Sequence, residues 1–176
     1  INPKWTVLRP NATSPAQVAG GNLGLPILQG DFIANDPRAS NTLLQDAPSG
    51  EWTVTARLDT SAIDANGEQA GLVIWKSEAP NPNNTYSKLV AIQANNGSHQ
   101  FEHIVTQAGS VNPPIANSIT PAPGGSLPDF VLLRARYDGT SVVGEFSADD
   151  GQTWTRVGNA THAAPFQAPL RVGLAA

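Results

Sequence analysis

Two arginines and a glutamate are the residues of this chain most suited to chemistry. Arg134 and Arg136 stand two apart in LRARYDG, and Glu145 follows in VVGEFS. In an extended strand both arginines point to one face, and Leu133, Ala135 and Tyr137 to the other. Asp138-Gly139 tolerates the positive φ of a tight hairpin turn. If that turn closes an even-numbered loop, Val143 and Glu145 fall on the arginine face, with Arg134 and Glu145 opposed or diagonal. A guanidinium beside a carboxylate offers fixed donors and acceptors together, which suits vicinal hydroxyls. The same residues also read as a cross-strand salt bridge on a solvated sheet face, and both readings stand.

A second group lies upstream. Across residues 69–76, Ala70, Leu72 and Ile74 read as core, which sends Gln69, Gly71, Val73 and Trp75 to the opposite face. An outward Trp75 is a platform for the apolar face of a sugar ring. The alternative folds Trp75 under the adjoining loop APNPNNT. Lys88, in YSKLV, joins this group if its strand pairs with residues 69–76.

The third motif is Ser147-Ala148-Asp149-Asp150-Gly151-Gln152-Thr153-Trp154. It matches the S-x-D-x-G-x-T-W Asp box known from sialidase propellers. Propellers repeat it at intervals of ~40–50 residues, whereas one copy occurs here. It is expected to be a turn device, in which Asp149 accepts backbone N–H groups and Trp154 plugs the core. The loop is expected to pair Phe146 with Trp154. His99, His103 and His162 lack metal spacing. Asp149/Asp150 and Asp59/Asp64 offer oxygen ligands for a structural Ca²⁺, but no EF-like loop supports one. No cofactor is expected, and neither a G-x-S-x-G nor a phosphate-cradling Gly loop is present.

The elements that must position these residues are short strands. Runs at 5–8, 22–28, 42–45, 52–59, 69–76, 86–93, 101–106, 131–137, 142–147, 153–157 and 170–175 are separated by turn residues, without a helical period. Such a series makes an antiparallel β-sandwich or barrel rather than a parallel α/β sheet. Residues 112–129 hold five prolines and two glycines, and are expected to form a long crossover or rim loop inside one domain. The 176 residues suffice for one core, so a single domain over 1–176 is expected.

With Gly 16 and Pro 15 but 40% apolar residues, the chain is turn-rich and globular. Its net charge of −4 lacks the basic field that nucleic acid or an anionic membrane surface requires. No apolar run approaches the ~20 residues needed to cross a bilayer. Cysteine and methionine are both absent, so Ile1 is not expected to be a natural start, and an excised part of a larger protein is expected. The Asn/Gln/Thr/Ser-rich, Lys-poor surface fits a secreted, extracellular domain. Sequons occur at Asn11, Asn83, Asn96 and Asn159.

In order along the chain, NTLLQDAPSGEWTVTARLD (41–59), QAGLVIW (69–75), YSKL (86–89), LRARYDG (133–139), SADDGQTW (147–154) and VGL (172–174) resemble the concanavalin A-like lectin/glucanase superfamily. The likeness is strongest to bacterial jelly-roll domains appended to β-xylosidases and other secreted sugar-active enzymes. The resemblance implies two antiparallel sheets, one concave, and glycan binding or structural support of a catalytic neighbour. The superfamily's enzymatic branch carries a strand E-x-D-x-E, and retaining glycosidases set two carboxyls ~5–5.5 Å apart. Glu102 and Glu145 each stand on a strand without an acidic partner at i+2, and the one acidic residue at i+4, Asp149 after Glu145, belongs to the Asp-box turn, which disfavours an enzyme.

The expected function is a non-catalytic carbohydrate-binding module. Gln69, Trp75, Lys88, Arg134, Arg136 and Glu145 together would hold a polysaccharide or oligosaccharide on the concave sheet. A catalytic domain in the same polypeptide would act on that glycan. The alternatives are a sandwich that only packs against a catalytic domain and, further off, a glycoside hydrolase.

Overall fold

A computed structural model describes residues 4–28, 40–76, 86–106, 116–158, 162–163 and 169–176. The strands are β1 (Thr6–Leu8), β2 (Gln17–Ala19), β3 (Asn22–Gly24), β4 (Thr42–Asp46), β5 (Trp52–Asp59), β6 (Gln69–Lys76), β7 (Tyr86–Gln93), β8 (His99–Thr106), β9 (Ala116–Pro121), β10 (Phe130–Tyr137), β11 (Ser141–Ser147), β12 (Thr155–Arg156), β13 (His162–Ala163) and β14 (Leu170–Ala175). A single 3₁₀ turn at Pro123–Gly125 is the only helical element among the described residues.

The strands form an antiparallel sandwich. One sheet runs β1-β4-β14-β6-β7-β8-β9, the other β12-β11-β10-β5, with β13 also paired to β11; β2 and β3 make a separate hairpin. Strand β5 shows why the sequence folds this way. Trp52, Val54, Ala56 and Leu58 alternate with exposed Thr53, Thr55 and Arg57, so one face packs and the other meets water. The inter-sheet core joins the inner side chains of β5, β10 and β11 to Leu72 and Ile74 of β6, Leu89 and Ala91 of β7, and Val172 of β14. Phe101 and Phe146 stack at its centre, ring centroids 3.9 Å apart. His103 is also fully buried and shares a 2.9 Å hydrogen bond with the Ser87 hydroxyl.

Strands β6 and β7 are apolar on both faces because a second cluster lies behind the seven-stranded sheet. Leu44, Val73, Trp75, Tyr86 and Ala175 pack there, with Leu8 against them. The register sets these side chains in rows. Trp75 is opposite Tyr86 and Arg171, and Val73 is opposite Lys88 and Gly173.

Besides the two-residue β13, which the sequence reading also omits, three elements differ from that reading. The proline-rich break contains β9, paired with β8 at the sheet edge, where Pro121 closes the strand and pairs with Gln100. An edge position tolerates proline because one side of the strand needs no ladder donor. The run expected at 22–28 is only the three residues of β3, paired with β2, which the sequence reading omits. The strand expected at 153–157 shortens to Thr155–Arg156, because the preceding residues are used by the turn.

Gly144 faces the core from β11. A Cβ there would lie 2.9 Å from Leu89 Cδ1 and 3.1 Å from the His103 ring. Gly144→Ala should therefore destabilise the domain by about 1–3 kcal/mol through overpacking, measured as a lower urea midpoint with an unchanged slope.

Candidate functional site on the five-stranded sheet

The β10–β11 hairpin closes as its sequence implies. Asp138 Oδ1 accepts hydrogen bonds from the Thr140 and Ser141 amides at 2.9 and 2.7 Å, and Gly139 takes φ 92°. These bonds, the Thr140 amide foremost, hold the Asp138 carboxyl below its ordinary pKa. The resulting register sets Arg134 opposite Glu145 and Arg136 opposite Val143. On the other side, Arg134 is opposite Thr55 and Arg136 opposite Thr53. All of these side chains point away from the core.

The Glu145 carboxylate is the centre of this face. Arg134 Nε donates to Oε2 at 2.8 Å, and Arg136 donates to Oε2 through Nε at 3.0 Å and to Oε1 through Nη2 at 2.9 Å. Glu145 is 8% exposed, whereas Arg136 is exposed. The Arg134 guanidinium lies over the Trp154 ring, 3.7 Å from its centroid. Trp154 therefore does not plug the core, as the sequence reading expected. It lies half-buried beneath Arg134 on the outer face, and Phe146 pairs with Thr155 instead. The Asp-box loop takes up one more residue before the strand resumes, which moves Trp154 out of register with Phe146.

The other three expected site residues lie elsewhere. Gln69, Trp75 and Lys88 are on the outer face of the seven-stranded sheet, across the sandwich from Arg134, Arg136 and Glu145. The single binding face expected for all six is therefore divided between two sheets. Trp75 points away from the inter-sheet core as expected, but it is 8% exposed and stacked on Tyr86 at 6.2 Å. Arg9 lies over its ring at 5.9 Å. Trp75 is thus a packed aromatic and not an open platform; the loop expected to cover it falls outside the described residues. Lys88 is 3% exposed and donates to Gln69 Oε1 at 2.8 Å. These residues pair with each other as their adjoining strands require, yet Trp75 and Lys88 are closed to a ligand in this structure.

The sequence reading missed Arg57 and Phe130. Phe130 is 46% exposed, and the Arg57 guanidinium covers its ring at 4.1 Å. Both line a depression of about 350 Å³ together with Leu132, Ala148, Asp150 and Gln152. The signal was present in the alternation of β5, which sends Arg57 to the same side as Thr53 and Thr55. What one strand's alternation does not reveal is that β5 neighbours β10. A larger groove of about 860 Å³ lies at the sandwich edge, lined by parts of the β2–β3 hairpin, β5 and the end of β14.

The Asp box does act as a turn device. Asp149 accepts from the Thr153 hydroxyl at 2.5 Å, the Thr153 amide at 2.8 Å and the Ser147 hydroxyl at 2.7 Å. Its carboxyl is lowered to about 2, first by the Thr153 side chain and then by the Thr153 amide. Asp59 is likewise lowered by the Ser61 hydroxyl and amide. Of the four carboxylates considered for Ca²⁺, Asp149 and Asp59 thus spend acceptor atoms on protein donors. Among the described residues no group of three or more His, Asp or Glu is arranged for a metal. The sequon residues Asn11 and Asn96 use their side-chain oxygens to hold local turns; Asn83 and Asn159 lie outside the described residues.

The model of the GH43_C2 family, described as the β-xylosidase C-terminal concanavalin A-like domain, matches residues 1–170. The chain belongs to this family. Solved structures agree with the GH43_C2 fold. The chain is 21% identical to the GH43 BlXynB protein from Bacillus licheniformis, with a TM-score of 0.72, covering 97% of this chain and 32% of that one. A GH43_12 protein retrieved from capybara gut metagenome is 15% identical with a TM-score of 0.68, over 99% of this chain and 33% of that one. An engineered GH43 glycoside hydrolase, described as displaying both endo-xylanase and exo-arabinofuranosidase activity, is 20% identical with a TM-score of 0.68, over 99% and 34%. The GH43_C2 domain thus spans about a third of each of these chains. No curated protein matches it.

The lowered Asp149 carboxyl has a pH consequence. A depressed folded-state pKa stabilises above the ordinary value of 3.8 and loses that contribution as pH falls through about 2. The thermal midpoint should therefore fall between about pH 5 and pH 2. Asp149→Asn should melt lower at the upper pH and show a shallower fall, with the remaining slope carried by Asp59 and Asp138.

Proposed function

We propose that this GH43_C2 domain is a non-catalytic carbohydrate-binding module of a secreted glycoside hydrolase. It would hold polysaccharide on the outer face of the five-stranded sheet while a catalytic domain in the same polypeptide acts on it. The observation that carries this reading is the bridge from Glu145 to Arg134 and Arg136. It fixes guanidinium groups on a polar, water-facing sheet surface, with Trp154 beneath one of them. Arg136 remains half-exposed, and its side chain can offer donors to hydroxyls without first being ordered. Tethering to an enzyme would raise local substrate concentration without any new chemistry in the module.

The two strand glutamates do not make a catalytic pair. Glu145 is on the outer face of the five-stranded sheet. Glu102, opposite Val90 and Ile119, is on the outer face of the seven-stranded sheet. The two strand glutamates are thus separated by the sandwich, and a retaining pair needs carboxyls ~5–5.5 Å apart.

The second reading is a sandwich whose work is packing against the catalytic domain. Membership of a family of C-terminal domains and the coverage of about a third of longer GH43 chains favour it. Affinity electrophoresis against a panel of soluble polysaccharides separates the two. Retardation on at least one polymer is expected of the module, and migration unchanged on all of them supports the packing reading. Arg136→Ala should weaken the retardation about tenfold, as removal of a hydrogen-bonding charged group does. Trp75→Ala should instead destabilise the fold by about 3–5 kcal/mol, as truncation of a packed aromatic does, measured by denaturant unfolding.

A further inference from the structure

We infer that the outer face of the five-stranded sheet recognises a carboxylated sugar, a uronic acid unit within a polysaccharide. This rests on the binding-module reading and names the ligand class for the same face. Four of the seven arginines, Arg57, Arg134, Arg136 and Arg156, fall in its rows, in a chain whose net charge is −4. Such a concentration of guanidinium groups against the overall charge is what an anionic ligand requires.

The aromatic rings point the same way. A neutral sugar is ordinarily held by its apolar face against a bare ring, but neither Phe130 nor Trp154 is bare. Arg57 covers Phe130 at 4.1 Å and Arg134 covers Trp154 at 3.7 Å. Each ring instead serves as a rigid support that aligns a planar fork of donors. Arg134 spends Nε on Glu145, which leaves its Nη groups without a protein acceptor among the described residues. Arg57 pairs with exposed Asp150 at 3.8 Å and also lies close enough to Asp59 to help hold that carboxyl low; the exposed Asp150 pair is one that a ligand carboxylate can displace at little cost.

The spacing fits one ligand unit. Arg57 is opposite Leu132, and Arg134 is two residues further along β10. Such diagonal neighbours are about 7–8 Å apart, so the two arginines rise from adjacent positions of one face. The depression beside Arg57, of about 350 Å³, opens at this end of the face. Small-molecule sites begin at roughly that volume. Gln152 and Asp150 on its wall supply polar atoms for the ring hydroxyls.

The test compares two forms of one polymer by calorimetric titration of the whole chain. Glucuronoxylan is used as isolated, and after chemical reduction of its carboxyl groups to alcohols. Binding to the native polymer should weaken at least tenfold on reduction, and Arg57→Gln should narrow that difference. Equal binding to both forms would overturn the inference while leaving the carbohydrate-binding reading intact. Equal binding of dextran sulfate would also overturn it, since charge alone would then explain the affinity. Binding to neither form, nor to neutral polysaccharides, would overturn both readings together.

Discussion

The carboxylate of Glu145, held between Arg134 and Arg136, is the constraint on which the outer face of the five-stranded sheet depends. Three charged groups brought together on a sheet lose hydration, and only good geometry with charge-assisted hydrogen bonds offsets that loss. The geometry comes from the hairpin. Asp138 caps the turn, the loop is even-numbered, and Arg134 falls opposite Glu145. A slip of one residue would turn both arginines into the core and Ala135 to water. The ion bridge and the core pattern of Leu133, Ala135 and Tyr137 therefore select the same register. Consistency between a polar face and an apolar face is what makes the register unique.

The two outer faces of the sandwich have different fates. Behind the seven-stranded sheet, Trp75, Tyr86, Val73 and Leu44 close on one another and bury Lys88 beside them. That face is a second, smaller core. The five-stranded sheet instead keeps threonines, arginines and a capped tryptophan toward water. The domain thus has one outer face that is polar and turned to water, and another already occupied by its own side chains.

Much of this was legible in the sequence. Strands β5, β6, β7 and β14 follow the alternation or the apolar runs to the residue, and the Arg134–Glu145 register follows from the turn. The joint site of six residues was not legible. Alternation says which side of a strand a residue occupies, but sheet membership is set by pairing between distant segments. Trp75 and Arg134 both point outward, yet outward from different sheets. Arg57 was overlooked for the converse reason, since nothing local places β5 beside β10. Strand β9 was masked by prolines that an edge position tolerates. Trp154 was misplaced because Asp150 and Gly151 both adopt positive φ and lengthen the loop, shifting the ring onto the outer face.

The central claim is that glycan binds on the five-stranded sheet and not on the face that contains Trp75. Nuclear magnetic resonance of the tryptophan indole and arginine Nε–H groups during polysaccharide titration tests it directly. The Trp154, Arg134 and Arg136 signals should shift while that of Trp75 stays in place. Shifts at Trp75 with those of Trp154 and the two arginines unmoved would contradict the account.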